Sequence, residues 1–135
     1  MDDNRLKLWA EIKHFTFGEF DSPDQKGSGL GMNIEFVKLL DTLREKCGFP
    51  LHINSGFRTV EHNAQVAVIE RSAHTLGLAC DIACGTSAER DLILKYSFEL
   101  GIRRRGIGKT FVHLDLDFSK PQNVTWLYPE GTVRA

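Results

Sequence analysis

Apolar residues recur at helical, strand-like and irregular spacings in successive stretches of this chain, and each rhythm predicts a different element. From Met1 to His14, Leu6, Trp9 and Ile12 follow a loosely helical spacing. Phe15, Phe17 and Phe20 come next, three aromatic rings in six residues, and predict a packed hydrophobic clasp. Asp21 to Gly31 is rich in Asp, Gly, Ser and Pro and reads as a loop. The clearest helix follows: Asn33 is a good N-cap, and Phe36, Leu39, Leu40, Leu43 and Cys47 recur at intervals of three and four. Gly48 ends it, with Pro50 just beyond. Val60 to Glu70 is expected to be helical, and Thr86 with Glu89 three residues on caps a further helix whose apolar face is Leu92, Ile93, Tyr96 and Leu100.

The remaining segments alternate. Leu51 to Asn54, Leu78 to Ala83, Gly106 to Gly108, Phe111 to Asp117 and Val124 to Tyr128 read as strands. Helices and strands mix without a βαβ rhythm, so the expected fold class is α+β, a central antiparallel sheet with flanking helices. Two of these strands carry unexpected polar residues. In the first, Asp81 interrupts an apolar run; Ala79, Asp81 and Ala83 share one face, opposite Leu78, Cys80 and Ile82. A carboxylate flanked by two alanines leaves room for something to approach. In the second, His113, Asp115 and Asp117 share one face, opposite Val112, Leu114 and Leu116.

Composition narrows the function classes. A length of 135 residues predicts one domain spanning 1–135, and 41% hydrophobic with 26% charged residues fits an ordinary globular chain. The formal net charge of −1 gives no bulk positive field for nucleic acid or anionic lipid, and Arg103-Arg104-Arg105 reads as a solvated turn. No window is long and apolar enough to span a bilayer. The opening Met1-Asp2-Asp3-Asn4-Arg5 lacks the apolar core of a secretory signal, so synthesis in the cytoplasm without a signal peptide is expected. Cys47, Cys80 and Cys84 are odd in number and lack zinc-ribbon spacing, which predicts small buried thiols.

Two histidines and a carboxylate suffice as protein ligands for a catalytic zinc, and His74, Asp81 and His113 supply that set. The same residues also suit a plainer arrangement in which Asp81 orients a packed histidine. Spacing alone does not choose between them. Ser72-x-His74-x-x-Gly77-x-Ala79-x-Asp81, however, resembles at every fixed position a motif of the zinc D-alanyl-D-alanine carboxypeptidase family, which includes endolysins and shares its core with the hedgehog signalling domain. Ser55-Gly56-Phe57-Arg58, followed by Asn63, resembles the family's segment upstream, and Phe111-Val-His113-Leu-Asp115 resembles its third-ligand strand in small single-domain members.

The resemblance implies a hedgehog/DD-peptidase-like fold and one zinc ion held by His74, Asp81 and His113. It implies Arg58 as an anchor for a substrate carboxylate or carbonyl, with Ser72 adding a hydrogen bond. The expected reaction is hydrolysis of peptidoglycan stem peptides, with metal-activated water attacking the peptide carbonyl. The chain departs from the family at the general base: many members carry Glu or Asp three residues before the last histidine, where this chain has Thr110, and others carry His two before it, where this chain has Phe111. Asp115 is the substitute candidate for the catalytic base; its other reading is an orienter of the His113 ring. A His₂Asp set also admits manganese or iron. The alternative function is a zinc-containing binding or assembly module without hydrolysis. A monomer that reaches the cell wall after release, as in phage-type lysis, is the expected setting of the enzyme.

Overall fold

The computed structural model describes residues 3–66 and 72–132. Four helices, α1 (Asp3–Trp9), α2 (Ile34–Cys47), α3 (Val60–Val66) and α4 (Ser87–Glu99), combine with five strands, β1 (Ile53–Ser55), β2 (Ala79–Ala83), β3 (Arg104–Ile107), β4 (Phe111–Asp115) and β5 (Val124–Leu127). The fold is α+β, and the strands form one sheet in the order β1-β2-β4-β3-β5. No helix among the described residues is long and apolar enough to cross a membrane.

The caps fall where the side chains require them. Asn33 Oδ1 accepts the Phe36 N–H at 3.1 Å and starts α2, and Gly48 at φ +77° ends it, its N–H donating to Arg44 O. The Thr86 hydroxyl accepts the Glu89 N–H at 3.1 Å and starts α4. The expected helix from Val60 runs to Val66; its remainder lies outside the described residues. The first helix stops at Trp9, short of His14.

One face of the sheet builds the core. Cys80, Ile82, Val112 and Leu114 pack with Phe36, Val37, Leu40 and Leu43 of α2 and Ile93 of α4. The phenylalanine clasp joins this core: Phe20 is fully buried, 5.5 Å from the Phe15 ring and 5.7 Å from Trp9. The opposite face carries Asp81, His113 and Asp115, all buried.

Three features differ from expectation. The sheet is mixed: three strand pairs are antiparallel, but β5 runs parallel to β3. The chain leaves β4 at Asp115 and enters β5 at Val124, both level with Arg104, so residues 116–123 cross the end of β3 and lay β5 on its far side. Second, the expected loop Asp21–Gly31 ends in a 3₁₀ turn and is tightly bonded within itself. The 3₁₀ turn Phe17–Phe20 precedes it, a second, Ser28–Gly31, forms its end, and the Asp21 carboxylate accepts the N–H groups of Gly27 and Gly29 at 2.9 and 2.7 Å. Third, Arg103-Arg104-Arg105 is no solvated turn, because Arg104 and Arg105 lie in β3. Arg103 stacks on Phe98, with its guanidinium 3.9 Å from the ring, and Arg105 donates to Leu94 O and the Thr125 hydroxyl at 2.9 and 2.8 Å. Each guanidinium is engaged by neighbouring groups.

Two predictions follow from this packing. Burial pushes the Cys47 thiol up to about 11, raises Cys84 and raises Cys80 well beyond its ordinary value. Because the thiolate is the reacting form, thiol-reactive dye at pH 8 should label the native protein about a hundredfold more slowly than the urea-unfolded chain. Gly77 sits at φ +71°, and a Cβ there would lie 2.4 Å from the Gly31 carbonyl oxygen. Gly77→Ala should therefore cost about 2–4 kcal/mol, read as a lower urea midpoint.

Candidate metal centre

One turn, the segment after β1 and the neighbouring strand β4 converge on Asp81 of β2. Ser55 of β1, Asp81 of β2, His113 of β4, Gly106 of β3 and Trp126 of β5 are successive cross-strand partners, a single row across the sheet. Paired residues on neighbouring strands project to the same side, so this row fixes what faces Asp81.

His74 reaches the row from outside the sheet. A tight turn holds it: the Thr75 N–H donates to Ser72 O at 3.0 Å, Leu78 N–H to Ala73 O at 3.0 Å, and the His74 N–H to the Ser72 hydroxyl at 3.2 Å. The left-handed Gly77 lets the turn close against residues 31–33, where its carbonyl accepts the Asn33 N–H at 2.9 Å. A second set of bonds ties this turn to the segment after β1. His74 O accepts the Arg58 N–H at 3.1 Å, and His74 Nδ1 donates to Gly56 O at 2.7 Å. Gly56 is itself pressed against Phe20, 2.9 Å from where its Cβ would be.

The result is a buried cluster. Asp81 and His74 have no measurable exposure, and His113 has 5%. Asp81 Oδ1 lies 2.8 Å from His113 Nδ1, and its Oδ2 lies 3.4 Å from His74 Nε2 and 3.8 Å from Arg58 Nη2. Arg58, 3% exposed, also donates from Nη1 to Asn63 Oδ1 at 3.2 Å.

Each histidine has one nitrogen committed away from Asp81 and the other aimed at it. Gly56 O can only accept, so His74 carries its proton on Nδ1 when neutral. Burial drives the His74 pKa down to about 3, outweighing the pull of Asp81, with smaller lowering from His113 and Arg58, so the ring is neutral at ordinary pH. Its Nε2 lone pair then faces an Asp81 carboxylate oxygen at 3.4 Å, acceptor against acceptor. A cation between them relieves that opposition. His113 is held on both sides: Nδ1 against Asp81 and Nε2 against Asp115 Oδ2 at 2.7 Å. Burial alone would lower its pKa, but the bonds and charges of Asp115 and Asp81 raise it, which favours a proton where a cation would otherwise sit.

His74, Asp81 and His113 each offer one ligand atom, all within 4.8 Å of one another. Tetrahedral ligands at about 2.0–2.1 Å from zinc stand roughly 3.3 Å apart, so small side-chain shifts bring this set to bonding geometry. The donors are neutral imidazole and carboxylate, and the outer nitrogens are already fixed by a carbonyl and a carboxylate, the usual support of metal-bound histidines.

The other expected site residues fall as follows. Asp115, 2% exposed, lies on the far side of His113 from Asp81. Its Oδ1 accepts from Arg104 Nε at 2.8 Å and the Asp117 N–H at 3.0 Å. Burial raises the Asp115 pKa, but the His113 bond and charge, the Asp117 N–H and Arg104 outweigh it and hold the carboxyl below the usual range. Asp117 lies beyond the end of β4, where its carboxylate accepts the Ser119 N–H and pairs with Lys120 at 3.1 Å. Ser72 heads the His74 turn, with its hydroxyl on the His74 N–H. The sequence reading missed Gly56 O, Arg104 and Trp126. The first is a backbone group without a side-chain signature, and the others depend on how strands pair.

A comparison with curated proteins found no match. Residues 11–115 match the family model described as Peptidase M15, a span that includes all three clustered ligand candidates together with Arg58, Ser72 and Asp115. That span covers most of the chain and ends on the last residue of β4, and the chain belongs to the Peptidase M15 family.

Proposed function

We propose that this protein is a zinc metallopeptidase that hydrolyses peptidoglycan stem peptides, with His74, Asp81 and His113 as the metal ligands. The observation that carries the reading is the neutral His74 Nε2 facing the Asp81 carboxylate inside a buried three-donor cluster. Family membership supports peptidase chemistry. When bound, a divalent ion supplies a Lewis acid and an activated water for attack on a peptide carbonyl.

The chain's own residues divide the remaining work. Arg58 beside Asp81 and Ser72 at the head of the His74 turn are the proposed anchors for the substrate's carboxylate or carbonyl, a task suited to a guanidinium fork. With a divalent cation, the charges of Asp81, Asp115, Arg58 and Arg104 sum to a net positive site that favours an anionic peptide terminus. For Asp115, a positioning role is favoured over the role of base. Its two oxygens hold His113, Arg104 and the Asp117 N–H, and its lowered pKa makes it a weak proton acceptor. That engagement also favours a second reading, a metal-holding module that binds cell-wall peptides without cutting them. Metal analysis followed by mass spectrometry of digested peptidoglycan separates the two: metal with new peptide ends supports the enzyme, metal with binding alone the module.

Alanine at His74, Asp81 or His113 should remove most of the zinc, because a three-ligand site has no spare donor. In the intact protein, zinc must displace the proton on His113. Its raised pKa means that apparent affinity should climb about tenfold per pH unit below that pKa and level off above it, as read by competition with a chelator. Full zinc occupancy in His113→Ala would remove that residue from the ligand set.

Asp115→Asn tests the positioning role. An orienting Asp115 predicts zinc affinity about 10–100-fold weaker, with turnover recovering at saturating zinc. A base predicts the reverse: zinc retained and turnover reduced roughly 10²–10⁴-fold at every zinc concentration.

A further inference from the structure

The row that holds Asp81 and His113 continues past β4 to a side chain the metal centre does not use. Gly106 on β3 pairs with both His113 and Trp126, so β3 contributes no side chain between the histidine and the indole. Trp126 fills that gap: its ring centroid lies 5.5 Å from the His113 ring, tilted by 49°. A Cβ on Gly106 would lie 2.6 Å from Trp126 Nε1 and 2.8 Å from its Cε2, so the N–H edge of the indole lies directly over the Gly106 backbone.

A second residue of β3 holds the indole in that pose. The Arg104 guanidinium stacks 5.0 Å from the Trp126 ring while its Nε binds Asp115 and its Nη1 donates to Pro121 O at 2.7 Å. One arginine therefore fixes both the carboxylate behind His113 and the aromatic ring beside it. Tyr128 extends the wall, 6.2 Å from Trp126 and 6.3 Å from His113 between centroids. Trp126 remains partly exposed, and its Nε1–H donates to no described residue. A rigid, partly exposed aromatic ring whose N–H has no acceptor among the described residues, beside the candidate metal centre, has the form of a substrate contact rather than of core packing.

We propose that Trp126 is a substrate-contacting residue: its indole forms the β5 wall of the cleft beside His113, and its N–H donates to a carbonyl or carboxylate oxygen of the bound peptide. This rests on the peptidase reading above.

The test uses the full chain loaded with zinc and a synthetic stem pentapeptide ending in D-Ala-D-Ala. The chain has two tryptophans, and Trp9 is buried at 7% exposure among Phe17 and Phe20, so a fluorescence change on peptide addition that disappears in Trp126→Phe belongs to Trp126. Trp126→Phe keeps an aromatic wall and removes the donor. It should hold zinc with unchanged stoichiometry and melt as the wild type does, while peptide affinity by calorimetry and kcat/KM fall about tenfold, mainly through KM. Gly106→Ala retains the indole but pushes it out of its slot, and should weaken peptide binding in the same direction. Peptide binding and turnover equal to wild type in both variants overturns the Trp126 assignment alone. A wild-type protein that holds zinc but neither binds nor cuts the peptide overturns the stem-peptide reading and this contact with it.

Discussion

Asp81 is a carboxylate with no solvent exposure on a central strand, and the folded chain must compensate it. Burying an unpaired charge costs several kcal/mol even after relaxation. The compensation comes from three segments distant in sequence: Arg58 just after β1, His74 from a turn outside the sheet, and His113 from the neighbouring strand. Each of those groups is buried in turn and needs Asp81. The cluster thus ties the segment after β1, the 72–77 turn and β4 to one point, with His74 O receiving the Arg58 N–H as a second link between the first two. The balance differs with and without a cation. In its absence the raised His113 pKa favours a proton as counter-charge; a divalent ion held by the proposed ligands would replace that proton and leave an excess of positive charge for an anionic ligand.

The sheet builds the surroundings of this single constraint with very few residues. Because cross-strand partners share a side, one transverse row delivers a carboxylate, an imidazole, an empty position and an indole in that order. The adjacent row delivers Ala79, Asp115, Arg104 and Val124, so the residues that brace the first row stand beside it. The absent side chain at Gly106 is as constructive as the others, since any Cβ there would occupy the space of the Trp126 and Tyr128 rings. Core packing on the reverse face, by Cys80, Ile82, Val112 and Leu114 against α2, keeps both rows in register.

What the sequence revealed and what it concealed divide along the range of the interactions. The caps at Asn33, Gly48 and Thr86 are local, and each is found where its side chain or φ angle predicts. Strand alternation is also local, and it placed Asp81 and His113 on faces opposite their apolar neighbours. The organisation of Asp21–Gly31 was hidden because it depends on backbone N–H groups converging on one carboxylate. The engagement of the three arginines is hidden for a related reason. In sequence they form a charge run, but strand alternation sends Arg104 to the site face and Arg105 to the helix side, where Phe98 and Leu94 lie. The parallel β5, and with it the place of Trp126 beside His113, depends on a crossing over the end of β3 that no periodicity encodes.

The same long-range pairing bears on how protons are handled at the site. A good general base needs a pKa near the working pH and an oxygen directed at the water it deprotonates. Asp115 has its Oδ2 on His113 and its Oδ1 on Arg104 and the Asp117 N–H, and these donors hold its carboxyl below the usual range. Those properties make a poor base and a good anchor, because a carboxylate that stays ionised and immobile fixes the proton of His113 on Nε2. Nδ1 is then left to face Asp81 and a metal. Arg104, level with Asp115 in the ladder, braces that anchor, and through its stacking on Trp126 it braces the indole beside His113 too. The orientation of the His113 ring and the placement of the Trp126 indole therefore both depend on one guanidinium.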